Sequence, residues 1–549
     1  MTTSSLKHFF SNPCSVLNPC CFIFLFLFFV ATCAAARPNI VVILADDMGF
    51  SDIGCYGGEI DTPNIDRLAA NGLRFTQFYN TARCCPTRAS LLTGLYPHQA
   101  GVPHMVNNMR LPLEQRQLSR RAVTIAEVLR ANGYLTAMTG KWHVCPVETF
   151  RESGPLARGF DHYYGIIHGG SSYYTPVTLM RDQETITNFP PNYFLTDAIA
   201  DNAAAYICDL APRQNPFFLY VAFTAPHWPL HAPEQDVQKY LARYRRGWDA
   251  LREERHRRQI EMGLVEGRWP LSPRDPTAPA WDSVTNKQWQ AHRMAVYAAQ
   301  VERMDHGIGA IINALRDTRA LDDTLIFFLS DNGGCAELLG ANNKALHVPL
   351  HAPDGGSMRL GNSPDIFPGP GDTYASYGLP WANLSNTPFR TYKHWVHEGG
   401  IASPLIVHWP SRLGKAGLRH ESSHLIDIMA TCLEAARVKQ PKEFGGVSVL
   451  PLEGKSLLPV FNRRNLPTRP IFFEHEGNRA VRLGEWKLVS RLPGAWELYN
   501  MRLDRTELHN LAAQEPNRAA ELARQYERWA SRVNVPDPGF VAPGQQPKK

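Results

Sequence analysis

Several features are missing from this chain, and each absence narrows the field. There is no internal repeat, so repeat architectures are excluded. Cysteine is sparse: eleven residues lie scattered through 549, with no spacing that suggests a dense disulfide framework. Charge of neither sign dominates. A formal net charge of +6 suits an anionic substrate or polyanion but is too weak to argue for nucleic acid. A membrane-spanning run is also lacking. The apolar stretch Cys21 to Thr32 follows a lone Lys7, falls short of the ~20 residues a span requires, and is closed by Cys33-Ala-Ala-Ala36 before Arg37. Residues 1–36 therefore read as a secretory signal cleaved near Ala36, which places the mature chain outside the cytoplasm, secreted or periplasmic. An uncleaved anchor and a lipoprotein start at Cys33 are the rival readings.

Cleavage would remove Cys14, Cys20, Cys21 and Cys33 and leave seven cysteines. The odd number leaves room for one chemically special cysteine, or for a spare buried thiol. Composition is that of a globular protein, 44% hydrophobic and 20% charged. The length exceeds one ordinary core and predicts a large domain with a smaller companion.

Asn39 to Ala45 is continuously apolar and β-branched, as a buried parallel strand should be, and runs directly into Asp46-Asp47. Phe217 to Phe223 leads to Ala225-Pro226-His227, Thr324 to Ser330 leads to Asp331-Asn332, and Ser403 to His408 is a further strand. Helical spacing marks Ile125–Asn132, Asp197–Leu210 and about Trp289–Arg316. Alternating strands and helices predict an α/β fold, a mainly parallel sheet flanked by helices with ligands at the carboxyl ends of strands. Leu241 to Arg258 is arginine-rich and reads as a solvated helix face. The Gly/Pro-rich stretch from Ala336 to Ala382 is long enough to form a pocket rim. After a helix over His424–Val438 come strand-like pieces at Pro470–Glu474, Ala480–Leu488 and Trp496–Tyr499, then an amphipathic helix from Pro516 to Val533. The predicted division is a catalytic domain over 37–440 and a small C-terminal α+β domain over 441–549.

The most informative segment is Cys84-Cys85-Pro86-Thr87-Arg88 followed by Leu91-Leu92-Thr93-Gly94. Pro86 suits the first position of a helix, which puts Cys84 just ahead of it, where partial positive charge favours an anion. Arg88, one turn in, can face the same spot. Cys84-x-Pro86-x-Arg88 with the Leu-Leu-Thr-Gly that follows resembles the signature of the sulfatase family, in which the cysteine is oxidised to formylglycine. Gly133-Tyr134 leading to Gly140-Lys141-Trp142-His143 resembles the family's second signature. Asp46-Asp47, Ala225-Pro226-His227, Asp331-Asn332 and Lys393 with Glu398-Gly399-Gly400 match its other landmarks in order. The resemblance covers about residues 38 to 535 and implies the alkaline-phosphatase-like α/β fold. Arg83 and Thr139 depart from the commonest forms and are read as tolerated variation. For a further serine of some family sites, the candidate is Ser171.

This resemblance implies a sulfuric ester hydrolase of arylsulfatase type, acting on a sulfated small molecule or sulfated glycan and dependent on a formylglycine-generating maturation enzyme. Asp46, Asp47, Asp331 and Asn332 offer hard oxygen ligands, joined by the group derived from Cys84, for one calcium or magnesium ion, calcium foremost. Acids at strand ends also serve as helix caps, and for Asp46-Asp47 alone both readings stand. Arg88, Lys141 and Lys393 would neutralise the sulfate. A hydrated aldehyde carries two hydroxyls, one to attack sulfur and one to lose a proton and expel sulfate. By resemblance His143 takes that proton, Asp331 helps deprotonate the attacking hydroxyl, and His227 protonates the leaving alcohol. The alternatives are a formylglycine-dependent phosphodiester or phosphonate monoester hydrolase, and a non-catalytic protein that binds sulfated glycans.

Overall fold

The computed structural model describes residues 37–342 and 345–536, and the expected signal segment lies outside them. The described residues form one compact unit. Its centre is a large mixed sheet built around seven strands: β1 (Asn39–Ala45), β2 (Leu73–Tyr79), β3 (Leu135–Gly140), β4 (His162–Ile166), β5 (Phe217–Ala222), β6 (Thr324–Ser330) and β7 (Ala402–His408). Their order is β2-β7-β6-β1-β5-β3-β4, with short strands extending both edges. The run β6-β1-β5-β3-β4 is parallel throughout. β7 runs antiparallel to both its neighbours, β6 and β2.

β1 shows why the centre is stable. Every residue from Ile40 to Ala45 is buried, but the two sets of alternate side chains enter different cores. Val41, Ile43 and Ala45 pack into one core with residues of the helices α2 (Leu195–Leu210) and α3 (Lys287–Asp317). Ile40, Val42 and Leu44 join the opposite core, with residues of α1 (Cys84–Thr93) and α4 (Ile426–Ala435). A strand covered on both faces has no solvated side to encode, so its sequence is apolar without interruption.

A separate antiparallel sheet follows: β8 (Pro470–His475), β9 (Asn478–Leu483), β10 (Trp486–Ser490) and β11 (Glu497–Asn500), with the helix α5 (Pro516–Arg532) near the end. The stretch Ala480–Leu488, expected as one strand, is a hairpin, because Gly484 turns the chain in the left-handed region at φ 58°. Leu73–Tyr79 carries no continuous apolar run and was not anticipated as a strand. The arginine-rich region is two helices, Glu234–Tyr244 and Trp248–Glu261. Its expected solvated character is corrected at two positions: Arg252 and Arg255 are buried. Arg255 pairs with Asp52 at 2.8 Å and Glu59 at 2.7 Å, countercharges whose position could not be read from the helix itself.

The C-terminal sheet is joined to the large one by buried charge. The Glu398 carboxylate receives Lys487 Nζ at 2.9 Å, Arg505 Nε at 3.0 Å and the Tyr79 hydroxyl at 3.0 Å. Lys487 also reaches Glu507 at 2.8 Å, and all four ionised side chains are fully buried. Burial alone would push the Glu398 carboxyl up, but Lys487, Arg505 and Arg482 outweigh it and hold it down at about 2. A depressed acid stabilises the fold above its ordinary pKa, and that contribution is lost only as pH falls through about 2. Replacing Lys487 by Met leaves two buried carboxylates short of a partner and should cost about 3–5 kcal/mol in guanidinium unfolding. A loss below about 1 kcal/mol would show that this network does not hold the C-terminal sheet in place.

Candidate active site

Four adjacent parallel strands deliver the polar residues to one edge. β1 ends in Asp46 and Asp47, β6 in Asp331 and Asn332, β3 in Lys141 and His143, and β5 leads through Thr224 to His227. α1 brings Cys84 and Arg88, and the loop before β7 brings Lys393. All these side chains are buried, none more than 5% exposed. The helix begins two residues earlier than expected: Cys84 is its first residue, Arg83 precedes it, and Pro86 is third. Proline is tolerated there because the first-turn N–H groups have no acceptor within the helix. Cys84 thus remains at the positive end of α1.

Backbone geometry is strained where the site is assembled. Asp47 and His143 hold φ values of 65° and 52°, uncommon for residues with side chains. Gly140 has φ 98°, and a Cβ there would lie 1.8 Å from the Ala222 carbonyl oxygen. Only glycine permits this approach of β3 to β5, which lets Lys141 N–H donate to that same oxygen at 2.8 Å.

Each carboxylate is matched to a cation. Lys141 Nζ donates to Asp46 Oδ2 at 2.6 Å, Lys393 Nζ to Asp47 Oδ2 at 2.8 Å, and Arg88 to Asp331 Oδ2 at 2.9 Å. Arg88 also donates to the Lys141 carbonyl at 3.0 Å, fixing its fork. Asp331 Oδ1 accepts from Asp47 N–H, and Asn332 Nδ2 donates to Asp47 Oδ1 at 2.6 Å. Asp46 Oδ1 and Asn332 Oδ1 are buried and accept no hydrogen bond. Burial, then the Asp46 carboxylate, pushes the Asp331 carboxyl well above its ordinary range. Three acids forced together, with two unused buried oxygens, form a donor set that fits a hard divalent cation. Asp46 and Asp47 also place carboxylate oxygens within 4.8 Å of a His227 ring nitrogen.

The histidines occupy distinct settings. His227 Nδ1 donates to the Trp228 carbonyl at 2.6 Å, which leaves Nε2 facing Asp47 and Lys393, each 3.4 Å away. Burial takes His227 down to about 4 and His143 to about 3. The Cys85 side chain, hydrogen-bonded to the Cys84 sulfur, helps hold the Cys84 thiol well below its ordinary value; burial opposes this, and Lys141 and His143 reinforce it.

Cys84, His143, His227 and Lys393 line a cavity of about 410 Å³. Its outer wall includes residues the motifs did not indicate: His168, Trp228, Glu337, His347 and Glu476. Glu337 and His347 lie in the stretch expected to form the rim, and Trp228 follows His227 directly, so position alone could have suggested them. Arg83, read as tolerated variation, also lines the cavity and pairs with Glu337 at 2.9 Å. Ser171 has a different role: its hydroxyl accepts from Val177 N–H at 2.7 Å, closing a turn, and it is absent from the cavity wall.

Comparison with known proteins identifies the family. Residues 38–438 match the sulfatase family model, and residues 390–531 match the model described as N-sulphoglucosamine sulphohydrolase, C-terminal. The chain belongs to the sulfatase family and is a sulfuric ester hydrolase, as the resemblance implied. An uncharacterized sulfatase of Schizosaccharomyces pombe is 32% identical over 92% of this chain and 96% of its own length. An arylsulfatase of Klebsiella aerogenes is 32% identical over 77% of this chain and 92% of its own. Among solved structures, Ps i-CgsB in complex with k-i-k-neocarrahexaose superposes with a TM-score of 0.65 at 25% identity, covering 90% of this chain and 93% of that one.

The low-lying Cys84 thiol makes a testable difference between neighbours. In protein carrying unmodified cysteine, alkylation of Cys84 by iodoacetamide should reach half its maximal rate below the ordinary thiol value of about 8.5. Cys85, pushed well above that value by burial, should stay unreactive. A Cys84 midpoint at or above 8.5 would contradict the electrostatics described.

Proposed function

We propose that this protein hydrolyses sulfate monoesters through formylglycine formed from Cys84, with one calcium ion held by Asp46, Asp47, Asp331, Asn332 and the Cys84-derived group. The observation that carries the reading is the convergence of a helix-start cysteine, three buried cations and an all-oxygen donor set at one sheet edge. Magnesium is the alternative hard cation for the same ligands. When bound, the cation would draw the carboxylates to itself and so let Lys141 and Lys393 turn their charge toward sulfate oxygens. Two hydroxyls on the hydrated aldehyde would serve as nucleophile and, later, as the group whose deprotonation expels sulfate.

The chain's own residues then have separate tasks. Arg88, Lys141 and Lys393 neutralise a substrate that would otherwise repel the nucleophile. Asp331 accepts a proton from the attacking hydroxyl. His143, kept neutral by burial, receives the proton whose loss releases sulfate. The Nδ1 proton of His227 is engaged by the Trp228 carbonyl, so the proton it gives is one that Nε2, the atom that faces the site, first takes up, an uptake that an anionic sulfate beside the ring favours. We assign it to the leaving alcohol. A cavity of about 410 Å³ lined by Trp228, His168 and His347 suits a sugar or aryl ring, and a sulfated carbohydrate is the proposed natural substrate class. Secretion or periplasmic export, directed by residues 1–36, is part of the same proposal. Among the described residues no helix is long and apolar enough to cross a membrane.

Leaving-group chemistry tests the assignment. An activated phenolate departs with little help, whereas a sugar hydroxyl needs a proton. His227→Ala should therefore slow glycan or alkyl sulfates by about 10²–10⁴-fold while aryl sulfates lose much less. Lys141→Ala and Lys393→Ala should slow both classes alike. Equal losses for His227→Ala on both classes would refute its role as the acid.

A further inference from the structure

A second cluster of metal-ligating side chains lies beside the catalytic edge and takes no part in the chemistry above. His394 directly follows Lys393, His475 ends β8, and Glu476 opens the tight turn into β9. One ligand atom from each lies within 4.8 Å of the others. His394 Nδ1 is 3.0 Å from Glu476 Oε2, and His475 Nε2 is 3.7 Å from Glu476 Oε1. The two imidazole rings stand 5.4 Å apart, nearly perpendicular at 83°.

An ordinary ion pair explains only half of this arrangement. It accounts for His394 with Glu476 but leaves His475, which is 0% exposed and has both ring nitrogens buried without a hydrogen-bond partner. Leaving such a group unpaired is costly, and native structures rarely do so without a ligand or water to satisfy it. The turn is also built around the carboxylate. His475 pairs with Asn478, so Glu476 and Gly477 form a two-residue hairpin loop with φ values of 49° and 81°. Asn or Asp is the favoured first residue of such a loop; here a longer acid is held there with its carboxylate between two imidazoles.

We propose that His394, His475 and Glu476 bind a divalent transition-metal ion of the zinc class, at a site separate from the oxygen-lined centre. Two imidazoles and one carboxylate are a donor set for zinc and its borderline-soft relatives, and a poor one for calcium. Arg83, the nearby cation, does not exclude the ion because its charge is engaged by Glu337 at 2.9 Å. Glu476 also lines the substrate cavity, so the site adjoins it. The ion would tie the loop that carries Lys393 to the C-terminal sheet, at the point where both border the substrate.

Cobalt(II) provides the test, since bound by imidazoles in a tetrahedral site it absorbs visible light strongly, whereas in an all-oxygen octahedral site it does not. Calcium-saturated enzyme titrated with cobalt(II) should develop this absorption with an endpoint of one ion per chain, and excess zinc should abolish it. Glu476→Gln and His394→Gln, both shown by circular dichroism to be folded, should each lose the absorption. Anomalous diffraction at the zinc edge should place a peak among the three side chains. Absence of the absorption in the wild type, its persistence in both variants, or a zinc peak confined to Asp46 and Asp47 would overturn the proposal.

Discussion

The architecture of the site depends on charge compensation without water. Asp46, Asp47 and Asp331 are buried at one sheet edge, and each is matched by one cation: Lys141, Lys393 and Arg88 respectively. Ions removed from water are stable only when closely paired, and removing one partner exposes the cost of the other. The surrounding fold meets that demand. Parallel strands end in register so that the acids converge, α1 points its positive end at Cys84, and Gly140 allows β3 close enough to β5 to bring Lys141 beneath them. By the same constraint, removing any one of these side chains strands its partner.

This view gives the motif residues two kinds of work. Asp46, Lys141 and Arg88 form part of the buried cluster at the sheet edge, whereas Glu398 binds Lys487 of the C-terminal sheet and Arg505, which follows that sheet. The Lys393…Glu398 landmark therefore spans both functions, with its lysine in the cavity and its glutamate in the internal anchor. Glu476 at the tip of the β8–β9 hairpin brings that same C-terminal sheet to the cavity wall.

Much of this was legible in the sequence because doubly covered strands must be apolar along their full length. β1 and β6 were read to the residue, and the polar pairs after them marked the catalytic edge. The cysteine motif then marked Cys84, the proposed source of the nucleophile, and the family match confirmed the class. What escaped the reading depended on partners distant in sequence. Arg255 looked like any solvated arginine until Asp52 and Glu59, some 200 residues earlier, were seen around it. Arg83 looked incidental until the fold placed Glu337 beside it. The hairpin at Gly484 escaped because glycine inside an apolar stretch is as compatible with a bulge as with a turn.

In the proposed reading the buried cations and the cysteine-derived nucleophile serve sulfate ester cleavage. The most direct measurement compares kcat/KM of the matured enzyme on a matched aryl sulfate and aryl phosphate. A preference for the sulfate of at least about 100-fold, or ~2.7 kcal/mol in transition-state stabilisation, is expected. Equal rates, or a preference for the phosphate, would contradict it.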